Sequence, residues 1–281
     1  MVQCVGVIGA GQMGSGIAHV MAFNGIKVVL YDLTNEIVEN GVSAISKNLE
    51  RGLSKGKWNQ QKCYETLERI TRTADLNDLK SCDLVIEAAT ENKSIKKKIF
   101  SDLDKILDSH SIIATNTSSI SITELAAVTG RPDKFVGMHF MNPVPVMKLV
   151  EGIKGLATSD ETFDQVKKLS EKVGKTFVAS NDYPGFIVNR ILMPMINEAV
   201  YAVYEGVASP SDIDSAMKLG TNQPMGPLEL ADFIGLDTCL SIMEVLYDGL
   251  GDSKYRPCPL LRNYVNAGQL GRKVRKGFYQ Y

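Results

Sequence analysis

The sequence predicts an α/β protein: a Rossmann-type, mostly parallel sheet with a helical-hairpin insertion, followed by an all-α C-terminal part. Three observations carry that prediction. Short β-branched runs alternate with amphipathic stretches through the first half of the chain, the pattern of βαβ units around a sheet buried on both faces. A G-x-G-x-x-G sequence stands between the first of these runs and the first helical stretch. Beyond residue 183 the strand-like runs stop.

In order, the strand candidates are CVGVIG (4–9), KVVLYD (27–32), ITRT (70–73), DLVIEA (83–88), SIIATN (111–116), FVGMHF (135–140) and KTFVAS (175–180). Between Asn35 and Glu68 the rhythm breaks into two helices that carry Lys47, Arg51, Lys55, Lys57 and Lys62, a basic hairpin inserted after the second strand. At SNDYPGFIVNR, Asn-Asp-Tyr-Pro-Gly supplies a turn, and Pro184 sits where a helix can begin. From Ile187 to Val203 apolar residues recur every three to four positions, which makes a helix with a wide apolar stripe. The predicted domains are therefore 1–183 and 184–281.

At 281 residues, 44% hydrophobic and 22% charged, the chain can fill two medium cores. A formal net charge of -1 gives no global field for nucleic acid or acidic lipid, so an anionic ligand must be gripped by a local cluster. The start MVQCVGVIG shows no basic leader, and no apolar run approaches the ~18 residues of a membrane span. A cytoplasmic protein is expected. Its five scattered cysteines, without a C-x-x-C pair, read as reduced thiols rather than a disulfide framework or zinc site.

GAGQMG (9–14) gains weight from its context of strand before, helix after and a second strand ending in Asp32. Gly9 allows the tight turn, Gly11 lets backbone amides approach a pyrophosphate, and Gly14 permits close helix–strand packing; Ala10, Gln12 and Met13 complete the loop. Asp32 would accept hydrogen bonds from the adenosine ribose and repel a 2′-phosphate, and Leu33-Thr34 offer no Arg to bind one, so NAD is favoured over NADP. The plainer alternative is a tight turn followed by an exposed Asp. His19, on the first helix, reads as packing.

Oxidation of an alcohol by a nicotinamide needs a base for the hydroxyl proton, and a histidine backed by a carboxylate suits that task. In HFMNPVPVMKLVEG (139–152), His139 ends an apolar run, a Pro-rich turn follows, and a returning chain could bring Glu151 beside it. A histidine at a strand end also has an ordinary structural explanation. The three histidines form no cluster for a metal, however, and no tyrosine has a Lys four residues later, so His139 becomes the leading base by elimination. NTSSIS (116–121) follows a strand at the carboxyl end of the sheet, where ligands of such folds bind, with Asn116 assigned to the cofactor and Ser118 and Ser119 offering hydroxyls. Ser121 with Glu124 makes a capping box, which leaves Ser118 for other work. Asn189 lies one turn into the long helix, just off its stripe. In ENKSIKKK (91–98) most of the lysines read as a solvated face.

GAGQMGSGIA, NTSSI, HFMNPVPVMKLVE, DYPGFIVNR and NQPMGPLELADFIGLD occur in that order, and together they resemble the NAD-dependent L-3-hydroxyacyl-CoA dehydrogenases, the bacterial 3-hydroxybutyryl-CoA type in particular. The resemblance spans essentially the whole chain. It implies that His139 is the base, Glu151 its partner, and that Ser118 and Asn189 position the substrate's C3 oxygen and thioester. It further implies that Asn142 supports the nicotinamide pocket and that Glu91, Lys96 and Lys273 help hold NAD. The basic hairpin, through Lys55 and Lys57, with Ser118 and Ser119, would receive coenzyme A, and the chain is expected to form a homodimer, through its helical part, or a higher homo-oligomer. One departure stands out: GRKVRKGFYQY has Arg275 where family members commonly have glycine. Two rivals remain, a dehydrogenase of small free hydroxy acids or sugar acids and a catalytically silent, crystallin-like relative.

Overall fold

The structure, a computed structural model, describes residues 2–281 and divides into two compact units, Met1–Asp182 and Tyr183–Tyr281. In the first unit the strands are β1 (Cys4–Ile8), β2 (Lys27–Tyr31), β3 (Ile70–Thr73), β4 (Leu84–Glu87), β5 (Ile112–Thr115), β6 (Phe135–Phe140), β7 (Leu149–Lys154) and β8 (Thr176–Asn181). Its helices are α1 (Gln12–Phe23), α2 (Asn35–Ser54), α3 (Gln60–Glu68), α4 (Lys93–Ile106), α5 (Ile122–Ala126) and α6 (Asp160–Lys172). The eight strands form one sheet in the order β3-β2-β1-β4-β5-β6-β7-β8. Every neighbouring pair is parallel except β6 and β7. Strand order reverses beside β1, which pairs with both β2 and β4, so the crevice for a ligand opens beyond the carboxyl ends of β1 and β4.

The seven anticipated strands are present, but the sheet holds an eighth. The segment LVEGIK, expected only as a returning chain, is the full strand β7, buried through Val150–Ile153. Glu151 and Gly152 interrupt its apolar run, and the gap left by Gly152 is taken by the ring of Phe177, whose Cζ would lie 1.8 Å from an added Cβ. The helical hairpin is α2 and α3, capped at their starts by Thr34 and Asn59. The Nε1–H of Trp58 donates to the carbonyl of Leu49 at 2.9 Å and fastens the connection between the two helices. On the far side of the sheet order, Asp182 accepts from Ser121 Oγ (2.7 Å), Ile122 N (2.9 Å) and Thr123 N (2.8 Å), tying the end of the first unit to the start of α5.

The second unit contains α7 (Val188–Tyr204), α8 (Pro210–Thr221), α9 (Pro227–Ile234), α10 (Leu236–Leu250) and α11 (Pro259–Asn266). The long helix does not begin at Pro184. Gly185 and Phe186 take left-handed conformations (φ 75° and 51°), which delays its start to Val188. Its inward face, with Met193, Ile196 and Val200, packs with Leu228, Leu236 and Met243 into a core separate from that of the sheet. Two buried acids organise what surrounds it. Asp214 accepts from Leu228 N and Glu229 N at the start of α9, and Asp232 accepts from Phe278 N (3.0 Å) and Tyr279 N (2.9 Å) near the C-terminus. No described helix is long and apolar enough to cross a membrane, and all five cysteines are free thiols.

Candidate functional site

The Gly loop leaves β1 and enters α1 with Gly11 as N-cap, without a side-chain cap or an acidic residue in the first turn. The amide of Ala10 is taken by Asp32, but no side chain caps the start of α1 itself, as an anion site at a helix N-terminus requires. A Cβ at Gly14 would lie 1.7 Å from the carbonyl oxygen of Gly9, so only glycine fits there; at Gly11 it would meet no protein atom within 4 Å. Packing fixes Gly14, whereas Gly11 keeps the surface open to a ligand. Asp32 does more than its sequence position suggested. Besides a place at the end of β2, it has Oδ2 accepting from Ala10 N (2.7 Å) and Oδ1 accepting from Leu33 N (2.7 Å), so it braces the loop. A cleft of about 850 Å³, lined by Gly9, Gly11, Gln12, Met13, Asp32 and Ala88 among others, runs beside the loop.

At the other end of the sheet order, His139 and Glu151 are direct cross-strand partners on β6 and β7. Nδ1 of His139 lies 2.7 Å from Oε2 of Glu151, and Nε2 lies 3.1 Å from Oγ of Ser118. Both members of the pair are buried. An ionised carboxylate only accepts, so the Glu151 contact places a proton on Nδ1 and turns the lone pair of Nε2 toward Ser118. The three side chains form a file from buried acid to hydroxyl. Among the described residues no group of three or more His, Cys, Asp and Glu side chains stands ready for a metal ion.

The loop that presents Ser118 is held by Glu91. Oε1 of Glu91 accepts from Ser118 N (2.8 Å), Ser119 N (3.1 Å), Ser119 Oγ (3.1 Å) and the Thr117 hydroxyl. Its other oxygen lies 3.4 Å from Nζ of Lys96. Lys96 is not on a solvated face: at 1% exposure it is sealed inside, donating to both oxygens of Glu87 (2.6 and 2.8 Å). Glu87 also accepts from Thr115 Oγ1 and Ala89 N. Removing one partner of such a buried pair costs about 3–5 kcal/mol, because the other charge is stranded. The ammonium group of Lys96 is thus spent on carboxylates, and it reaches the site through Glu91. Glu87 escaped notice in the sequence because an acid closing an apolar strand resembles a surface residue. Lys96, named from the resemblance as a cofactor contact, shares one helical stripe with the buried Phe100 and Leu103, a spacing from which its burial is legible.

Asn116 is buried, and its Oδ1 accepts from Phe140 N (2.8 Å), joining the end of β5 to β6 just after His139. Asn142 opens the Pro-rich turn and accepts from Gln12 Nε2 (3.2 Å), which links that turn to the first residue of α1. Lys55 and Lys57 are exposed at the tip of the hairpin. Asn189 and Lys273 belong to the second unit, Asn189 buried in the first turn of α7 and Lys273 paired with Asp237. Arg275 takes the left-handed conformation (φ 61°) and closes the turn Arg272–Val274. An L-residue there carries a cost of about 1–2 kcal/mol, yet the turn survives.

Residues 4–183 match the family model described as 3-hydroxyacyl-CoA dehydrogenase, NAD binding domain, and residues 185–281 match 3-hydroxyacyl-CoA dehydrogenase, C-terminal domain. The chain belongs to the 3-hydroxyacyl-CoA dehydrogenase family. It is an NAD-dependent oxidoreductase of that family, with the Rossmann-type domain and helical C-terminal domain that go with it. A 3-hydroxybutyryl-CoA dehydrogenase of Bradyrhizobium diazoefficiens is 57% identical over 281 residues, covering 100% of this chain and 96% of its own. A probable 3-hydroxybutyryl-CoA dehydrogenase of Bacillus subtilis is 59% identical over 275 residues, covering 98% and 96%. The crystal structure of (S)-3-hydroxybutyryl-CoA dehydrogenase PaaH1 from Ralstonia eutropha matches with a TM-score of 0.98 at 52% identity, covering 100% of this dehydrogenase and 99% of that chain.

Proposed function

We propose that this dehydrogenase interconverts (S)-3-hydroxybutyryl-CoA and acetoacetyl-CoA, with His139 as acid–base. The observation that carries the reading is the file Glu151–His139–Ser118, in which one imidazole nitrogen is held by a buried carboxylate and the other faces a hydroxyl. In the oxidative direction Nε2 of His139 takes the C3 hydroxyl proton, Glu151 stabilises the imidazolium that forms, and Ser118 orients the C3 oxygen. Bound NAD supplies the hydride acceptor. The uncapped start of α1, the opening at Gly11 and the carboxylate of Asp32 suit its pyrophosphate and ribose. Glu91, through Lys96, keeps the Ser118 loop in register. In this reading Asn189 serves the substrate and Lys273 the cofactor, and Lys55 and Lys57 at the hairpin tip attract the phosphates of coenzyme A. A cytoplasmic homodimer accompanies it; exposed apolar side chains of the helical unit, Ile191, Val207 and Leu219, support the dimer. The deciding assay follows NADH oxidation with acetoacetyl-CoA, longer 3-ketoacyl-CoAs and free acetoacetate side by side. Turnover of free acetoacetate equal to that of its thioester would overturn the coenzyme A assignment.

A further inference from the structure

The Pro-rich turn between His139 and Glu151 is exposed along Pro143, Pro145, Val146 and Met147, yet it is fixed from beneath. Val146 N and Met147 N both donate to the carbonyl of Pro143 (3.0 Å each), so the turn closes on itself. Val144 alone points inward, packed so closely on α1 that a Cβ at Gly16 would lie 2.9 Å from its Cβ. Two carbonyls of the turn, those of Val144 and Met147, face inward and need donors. Both are met by one side chain, Lys175, whose Nζ donates to Val144 O and to Met147 O (2.7 Å).

Lys175 is an unusual choice for that task. It immediately precedes β8, is only 8% exposed, and pairs with no carboxylate among the described residues. Burial of an ammonium group without a counter-ion is costly, and here it holds the group's pKa below its ordinary value. The groups that face it offer no relief. His19 and Lys148 line the same small cavity of about 290 Å³ beside Trp58, and His19 is itself kept neutral by burial and by the charge of Lys175. An exposed turn could satisfy two carbonyls with water at little cost. A buried full charge makes stronger hydrogen bonds and fixes the turn's position instead.

We propose that Lys175 is a positioning residue for the nicotinamide end of the site: it pins the 142–147 turn so that Asn142 is presented at a set distance from α1. The chain of contacts runs from Lys175 to the turn, from Asn142 Oδ1 to Gln12 Nε2, and so to the N-terminus that receives the cofactor. The inference rests on the proposed reading in one respect, that Asn142 supports the nicotinamide. ADP-ribose keeps every part of NADH except the nicotinamide ring, whose place on the second ribose is taken by a hydroxyl, so the ratio of their affinities isolates the ring.

Equilibrium titrations of both ligands against wild type, Lys175→Met and Lys175→Arg test it. Lys175→Met should raise Kd for NADH about fivefold or more, leave ADP-ribose within about twofold, and lower kcat for acetoacetyl-CoA about tenfold at nearly constant KM for that substrate. Lys175→Arg should restore much of the NADH preference. With Asn142→Ala already in place, Lys175→Met should cost little further NADH affinity, because the two act in series. Should Lys175→Met not fold, Lys175→Gln, which retains a donor group, carries the same comparison. A fall in Tm with NADH and ADP-ribose weakened alike, or with neither weakened, overturns the proposal and leaves Lys175 a purely structural residue. Failure of the proposed activity reads out separately, as absence of acetoacetyl-CoA turnover by the wild type.

Discussion

Nδ1 of His139 faces a carboxylate and Nε2 a hydroxyl. Replacing Glu151 by Gln keeps the shape and removes the carboxylate that the proposed mechanism sets behind the ring. In that reading kcat for acetoacetyl-CoA should fall by roughly 10²–10⁴-fold, while NADH affinity hardly changes. A near-normal kcat would reduce Glu151 to a structural residue. His19 obeys a different rule. Its pKa is pushed down from an ordinary 6.5 to about 4, first by burial and then by Lys175. In the unfolded chain it takes a proton as pH falls below about 6.5 while the folded chain refuses one, so stability is present above that pH and lost toward 4. The size of this effect is on the order of 3 kcal/mol. Denaturant titrations of the first unit's unfolding at pH 7 and pH 4.5 should show a smaller acid loss in His19→Leu than in wild type; equal losses would assign the acid sensitivity elsewhere.

The helical hairpin is the element whose purpose is least dictated by packing. Val38, Val42, Ile45 and Leu49 bury one face of α2 on the sheet domain, while Lys55 and Lys57 stand exposed at its end. Neutralising both lysines together should raise KM for acetoacetyl-CoA more than for an acetoacetyl-pantetheine lacking the nucleotide, with kcat almost unchanged. Equal losses on both substrates would move the coenzyme A site. How far these elements are legible in the sequence follows from what sets each one. The hairpin, the Gly loop and seven of the strands are fixed by local patterns of apolar residues, caps and turns. Strand β7 is hidden because its centre is a carboxylate and a glycine, and both make sense only beside His139 and Phe177. Lys175 carries no local signal at all, since the two carbonyls it serves lie about thirty residues earlier in the chain.

On the scale of the whole molecule the file from Glu151 to Ser118 draws on three separated stretches of chain, and the sheet is what makes them neighbours. Glu91 and the Glu87–Lys96 pair extend the same support back to β4 and α4. Sequence spacing suggests the His139–Glu151 pair because a single turn joins them; it cannot show that Ser118 is steadied by a carboxylate 27 residues before it. The last residue of the first unit adds a mechanical aspect. Asp182 is bonded to Ser121, Ile122 and Thr123, immediately downstream of the Ser118 loop. Tension on the polypeptide at Tyr183 is therefore shared between β8 and the start of α5. Asp182→Ala should speed amide exchange at Ile122 and Thr123 and, beyond them, at Ser118 and Ser119, with β8 little changed. Exchange that stays confined to Ile122 and Thr123 would show the strap ending there. In the proposed mechanism, which needs a hydroxyl within hydrogen-bond reach of a histidine, the anchorage of the connecting peptide becomes part of the site's stiffness.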